Sequence, residues 1–207
     1  MLRGIKLIGV VIIGISSYAN AQGHSKTSQN WQLTTHETIW TARYDNCEYG
    51  YFSLLPEGVV AHAEHPPNPH HGFLINSADL GSKDFMSAYD SNRFVWVNAK
   101  YNATDAFTLA DISDFEIDVA KADKKNPTLV ERHRSKLQSV PATRFRIAYA
   151  SMEGQMAQEE IVALRSGIIY TLGLRTPVEH YAQDREKMEQ ALSGFRFYRK
   201  PLECSER

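Results

Sequence analysis

Residues 140–198 read VPATRFRIAYASMEGQMAQEEIVALRSGIIYTLGLRTPVEHYAQDREKMEQALSGFRFY. Phe145, Ile147 and Tyr149 alternate with Arg144, Arg146 and Ala148, the period of two that a strand with one buried face requires, so residues 142–150 are expected to be extended. Residues 129–137 should pair with them across Gln138-Ser139-Val140-Pro141. Residues 159–164 and 168–174 flank Arg165-Ser166-Gly167, a link whose glycine can take the positive φ of a tight hairpin. Thr176, Pro177 and Glu179 then spell a helix start, with a cap, a proline at the first helical position and an acid closing a capping box. Val178, Tyr181, Met188 and Leu192 form its expected buried stripe, and Gly194 can end it in the left-handed conformation. Phe195-Arg196-Phe197-Tyr198 returns as a short strand or packed tail.

The N-terminal half is less regular. Residues 37–43 and 47–55 are aromatic and β-prone, separated by Asp45-Asn46, and read as a hairpin that ends at Leu55-Pro56-Glu57-Gly58. Residues 59–63 and 72–75 suit short strands, the remainder of 66–90 being mostly turn residues. Phe94, Val95, Trp96 and Val97 are too continuous for a one-faced element, so residues 93–98 read as a strand buried on both sides. A helix follows. Leu109, Ile112, Phe115, Val119 and Ala122 recur at helical steps as its expected apolar stripe, and Asn126-Pro127 is expected to end it.

Two helices and several antiparallel strands predict an α+β fold in which helices cover the apolar faces of a sheet. The order of an early hairpin, a central strand, a helix, a four-stranded meander and a closing helix with SGFRFY resembles the Mog1/PsbP-like superfamily over about residues 37–198. The resemblance rests on the strand alternation, the Gly167-Ile168-Ile169-Tyr170 hairpin return and the closing helix. It implies an αβα sandwich with an antiparallel sheet. In that superfamily plant members are extrinsic photosystem subunits, another member binds a small GTPase in the nucleus, and many exported bacterial members have no assigned role. This chain carries no functional motif of the family, and fold alone does not transfer an activity.

The chain has 207 residues, a formal net charge of −1 and 43% hydrophobic residues, which suits one domain with a real core over residues 37–198. Charges of both signs are interspersed, without the basic block that would neutralise phosphates, so nucleic acid is excluded as the expected partner. Residues 1–21, MLRGIKLIGVVIIGISSYANA, place Arg3 and Lys6 before an apolar run and Ala19-Asn20-Ala21 after it, the order of a cleavable secretory signal. The apolar run falls short of the about 20 residues of a membrane span, so no stable membrane anchor is expected after cleavage. Polar residues 22–36 read as a flexible lead-in. Export to a periplasmic or extracellular space makes a disulfide between Cys47 and Cys204 the expected state of the two cysteines, tying the 199–207 tail to the domain. The loop-entropy model gives that bridge about 5 kcal/mol as an upper figure.

One segment stands out chemically. HAEHPPNPHHG, residues 62–72, holds four of the eight histidines. His62, His65, His70 and His71, with Glu64, supply enough donors for zinc, copper or nickel if the prolines fold them together. The spacing is not that of a helical metalloprotease motif, and a solvated, proline-rich connector is the competing reading. Asp105, Asp111, Asp114, Glu116 and Asp118 lack the calcium-loop pattern and read as a solvated helix face. His133, within Glu131-Arg132-His133-Arg134, reads as part of a charged edge strand. No nucleophile elbow or phosphate-cradling glycine loop occurs. Asn102-Ala103-Thr104 would accept a glycan only in a host that performs that modification.

These readings converge on an exported, soluble, non-catalytic accessory or binding protein for a protein or small molecule, with no cofactor required. The alternatives are a periplasmic transition-metal-binding protein using residues 62–71, and a hydrolase whose residues meet only in three dimensions.

Overall fold

The computed structural model describes residues 39–63, 71–103 and 107–199. Its strands are β1 (Ile39–Trp40), β2 (Arg43–Asn46), β3 (Tyr51–Leu54), β4 (Ala61–Ala63), β5 (Gly72–Asn76), β6 (Phe94–Tyr101), β7 (Lys125–Leu137), β8 (Val140–Ser151), β9 (Gly154–Arg165), β10 (Ile168–Pro177) and β11 (Phe195–Phe197). Its α-helices are α1 (Phe85–Asp90), α2 (Leu109–Lys121) and α3 (Tyr181–Leu192), the last entered through a 3-10 turn at Val178–His180. Eight strands form one antiparallel sheet in the order β1-β4-β5-β6-β10-β9-β8-β7, and β11-β3-β2 form a second. The protein is therefore mostly antiparallel sheet with a few helices.

The C-terminal meander forms as its alternation requires, from β7 to β10 in consecutive order. Ser166 and Gly167 take φ of 52° and 75°, the paired positive values that match a two-residue turn to strand twist. Strand alternation divides the core. Ile161, Ala163, Tyr170, Leu172 and Leu174 face one side, where they pack with Tyr44, Tyr51 and Phe195 of the small sheet and with Met188 and Ala191 of α3. Phe145, Ile147, Tyr149, Val162 and Ile169 face the other, under Ile112, Ile117 and Ala120 of α2. α1 joins that second face through Ala88 against Leu74 and Phe94. One face is thus covered by a helix together with a second sheet, rather than by helices alone.

Several local expectations are corrected. The described part of the expected 37–43 arm is not one hairpin strand: Ile39–Trp40 pairs with β4 in the large sheet, while Arg43–Asn46 pairs with β3 in the small one. The turn falls at residues 47–50, where Gly50 takes φ 67°. On α2, Phe115 and Val119 are 59% and 50% exposed, and the buried face is Ile112, Ser113, Glu116, Ile117 and Ala120. Ser113 satisfies itself by donating to the Leu109 carbonyl at 2.6 Å, and Glu116 by pairing with Lys100 at 2.6 Å, so polar residues occupy a face that hydrophobicity assigned elsewhere. Asn126-Pro127 does not end that helix. It lies inside edge strand β7, at a register shift between Lys125 and Thr128 with Asn126 at φ 52°, where a missing N–H costs no ladder bond.

The capping box is likewise absent at the last helix. Thr176 and Pro177 complete β10, and the fully buried Thr176 hydroxyl donates to Asp184 Oδ2 at 2.6 Å instead of capping. Val178 is exposed, and the residues that α3 buries are Asp184, Met188 and Ala191. Gly194 has no positive φ. It is glycine because a Cβ there would lie 1.8 Å from the Leu54 carbonyl oxygen, where the chain crosses β3 and Leu54 N donates to Gly194 O at 3.0 Å.

Candidate functional site

Two of the four candidate imidazoles are described. His62, on β4, is 1% exposed, and its Nε2 meets the Ser82 carbonyl at 2.9 Å beside the start of α1. It lies opposite Leu74, so it points to the α1 side of the sheet. His71 precedes β5 by one residue and faces the small sheet, with Nε2 3.3 Å from the Tyr49 hydroxyl and its ring centroid 5.2 Å from that of Tyr49. The two imidazoles are therefore directed to opposite faces and do not converge. His65 and His70 lie outside the described residues, as do Glu64 and Pro66-Pro67-Asn68-Pro69. Among the described residues there is no group of three or more His, Cys, Asp or Glu that could hold a metal ion. Cys47 opens the turn before β3, and Cys204 lies outside the described residues, as do residues 1–21 of the signal and Thr104 of the glycan acceptor.

Charge is concentrated instead around the meander. Under α3, the fully buried Glu159 accepts from Arg144 and from the Tyr181 hydroxyl, while Arg144 Nη2 reaches Glu189 at 2.6 Å. Asp184, also fully buried, accepts from Arg93 Nε at 2.8 Å and Nη2 at 2.7 Å. Despite its burial, the Arg93 fork and the Thr176 hydroxyl hold its carboxyl below the ordinary range. These bonds lock α3 onto the sheet. Period-two alternation places Arg144 and Arg146 on the side opposite Phe145, but it cannot say that α3 covers that side too.

On the α2 side, Glu160 is 5% exposed and accepts from Gln158 Nε2 at 2.6 Å. Burial pushes its carboxyl up to about 7, opposed by the Gln158 bond. Lys100 joins this layer by its ion pair with Glu116, and Trp96 packs against Gly173, where a Cβ would come within 2.1 Å of the indole.

A concave feature lies along β7, the last strand of the large sheet among the described residues. A cleft of about 700 Å³ opens between the start of α2 and the β7–β8 hairpin, with Leu109, Ala110 and Pro141 as apolar lining and Arg132, His133, Arg134 and Lys136 of β7 along its border. Its size is that of a ligand or peptide site. Arg132 Nη1 is tied to Asp114 Oδ1 at 2.5 Å. Arg134 and Lys136 have no ion-pair partner among the described residues. At the helix start, the Thr108 hydroxyl and backbone N–H hold the Asp111 carboxyl low, closing a capping box. The edge charge was legible in Glu131-Arg132-His133-Arg134; the cleft required α2 to be placed beside it.

No protein-family model matches the chain, and no curated protein shows significant sequence similarity to it. Solved structures are similar in shape. Cyanobacterial PsbP from Synechocystis matches with a TM-score of 0.52 at 14% identity, over 77% of this chain and 92% of that one. The Ran-binding protein Mog1p of Saccharomyces cerevisiae matches with a TM-score of 0.47 at 8% identity, over 77% and 96%. LpqN of Mycobacterium tuberculosis, described as involved in cell envelope biogenesis, matches with a TM-score of 0.44 at 14% identity, over 78% and 84%. The chain shares the fold of cyanobacterial PsbP. At these identities the likeness is one of fold alone. Among the described residues no helix is long and apolar enough to cross a membrane.

Proposed function

We propose that the chain is an exported, non-catalytic binding or accessory protein that docks an extended acidic segment of a protein partner in the cleft beside β7. The observation that carries this reading is the cleft itself: an apolar lining bordered by Arg134 and Lys136, which have no ion-pair partner among the described residues, along a strand whose outer edge no described strand covers. An open edge offers main-chain hydrogen bonds to an added strand, and the cations select for acidic side chains. Charge on an edge also protects against aggregation, but that role needs no cleft. Export is supported by the charged, apolar and small-residue order of residues 1–21, and in an oxidising compartment the Cys47 to Cys204 bridge would hold the C-terminal tail against the turn that opens β3.

The test is fluorescence anisotropy of a short glutamate-rich peptide, with a lysine-rich peptide as contrast, against the purified chain and its Arg134→Glu/Lys136→Glu variant. Both substituted residues are exposed, so the fold should be unaffected. The acidic peptide should bind, lose affinity as salt rises from about 0.05 M to about 0.5 M, and bind the variant about tenfold or more weakly. Equal binding by wild type and variant, or no binding at low salt, would refute the proposal.

A further inference from the structure

Away from that cleft, β10 presents an arginine whose charge no described residue compensates by an ion pair. Arg175 lies between Phe94 of β6 and Gln158 of β9 in the sheet register. Its guanidinium carbon is 5.8 Å from the Phe94 ring centroid and 5.9 Å from that of Tyr149. Lys124, in the link after α2, brings its Nζ to 5.0 Å from the same Tyr149 ring. Arg175 and Lys124 have no ion-pair partner among the described residues. Two donors in this group, the Nε–H of Arg175 and the hydroxyl of the 3% exposed Tyr149, are buried without a hydrogen-bond partner among the described residues.

That combination is unfavourable for a purely structural cluster. A buried donor left unmade costs free energy, and two cations set around one phenol repel each other. Burial, and after it the charge of Arg175, pull the Lys124 ammonium below its ordinary range, with Asp123 and Glu160 opposing. Aromatic rings beside a guanidinium hold it in place without neutralising it, and its planar fork suits the paired oxygens of an anion. Arg175 and Lys124 are both only half-buried, so the group reaches the surface.

We infer that Arg175, Tyr149 and Lys124 form a binding site for a small oxyanion, with the Arg175 fork and the Tyr149 hydroxyl as donors and Lys124 as the second charge. The site is separate from the β7 cleft and does not depend on its reading. Carboxylate and phosphate share the required chemistry, acceptor oxygens carrying negative charge. The chain's own carboxylates near Lys124, on Asp123 and Glu160, do not pair with Arg175.

The experiment follows the ¹H–¹⁵N resonance of the Arg175 side chain on the full chain while sodium acetate, or in a second arm inorganic phosphate, replaces sodium chloride at constant ionic strength. A saturable shift with either oxyanion is expected; its arm tells which oxygen geometry fits. Tyr149→Phe keeps the ring and removes only the hydroxyl, and should bind about fivefold more weakly, while Lys124→Gln should lose a similar factor. Arg134→Glu/Lys136→Glu should bind the oxyanion as wild type does. Because Tyr149→Phe also removes an unpaired buried group, it should raise or leave unchanged the melting temperature without oxyanion, which separates weakened binding from misfolding. No saturable shift with either oxyanion, or Tyr149→Phe and Lys124→Gln each binding the oxyanion as tightly as wild type, would overturn the inference.

Discussion

Glu160→Gln should stabilise the protein above neutral pH and leave it unchanged in acid. The carboxyl is pushed from its ordinary 4.5 up to about 7 because its burial under α2 outweighs the hydrogen bond from Gln158 and the charges of Lys100 and Lys124. The folded state therefore keeps its proton up to about 7, whereas the unfolded chain releases it near 4.5. Between those values the folded state binds more protons, so raising the pH favours unfolding. The penalty is absent below the unfolded value and complete above the folded one. At about 1.4 kcal/mol per tenfold change in proton affinity, it amounts to about 3 kcal/mol. A glutamine cannot ionise, and its amide oxygen can still accept the Gln158 N–H. The variant should be more stable than wild type by up to about 3 kcal/mol at pH of about 8, a melting temperature about 6–12 °C higher. The two should converge near pH of about 4. Urea denaturation of both proteins across that range is the assay. A difference independent of pH, or a variant less stable in alkali, would mean that Glu160 is ionised in the fold and contributes through its lysines, and the burial argument would fail.

Asp184→Ala leaves the Arg93 guanidinium and the buried Thr176 hydroxyl without their acceptor and should destabilise the protein by about 3–5 kcal/mol in chemical denaturation at neutral pH. Since the Asp184 carboxyl is held low, its stabilisation is present above the ordinary carboxyl range and is lost as pH falls through the folded value, so the variant's deficit should shrink in strong acid. Gly194→Ala drives a Cβ into the Leu54 carbonyl and should cost about 2–3 kcal/mol, with hydrogen exchange accelerating at Leu54 and across the β3–β11 pairing. A Gly194→Ala protein as stable as wild type would show that the crossing has room to spare.

How much could be read in advance depended on how local the governing physics was. The meander from β7 to β10 was legible because alternation at Phe145, Ile147 and Tyr149 and the turn at Ser166-Gly167 are set by residues in or next to the strands themselves. The expected cap at Thr176 failed because the Thr176 hydroxyl is taken by Asp184, eight residues on and one turn into α3. The α2 stripe failed because Glu116 is made acceptable by Lys100 on β6, a partner that helical periodicity does not see. Histidine clustering in residues 62–71 read as a candidate site, yet His62, on β4, and His71, one residue before β5, direct their side chains to opposite faces.

Charge told a similar story. Glu131-Arg132-His133-Arg134 announced a charged edge, but its apolar lining comes from Leu109 and Ala110, more than twenty positions earlier. Arg175, one residue beyond the expected end of its strand, carried no sequence signal. It gains interest only because Phe94, Tyr149 and Lys124, from three other parts of the chain, gather around it while no described carboxylate pairs with it.

By itself the sequence determined the α+β class, the order of the meander and closing helix, and the identity of the edge strand, because backbone periodicity and turn chemistry act between near neighbours. The tertiary structure alone decided which polar groups are buried, with which partners, and which cations have no ion-pair partner among the described residues, because desolvation and charge compensation depend on residues brought together from distant parts of the chain.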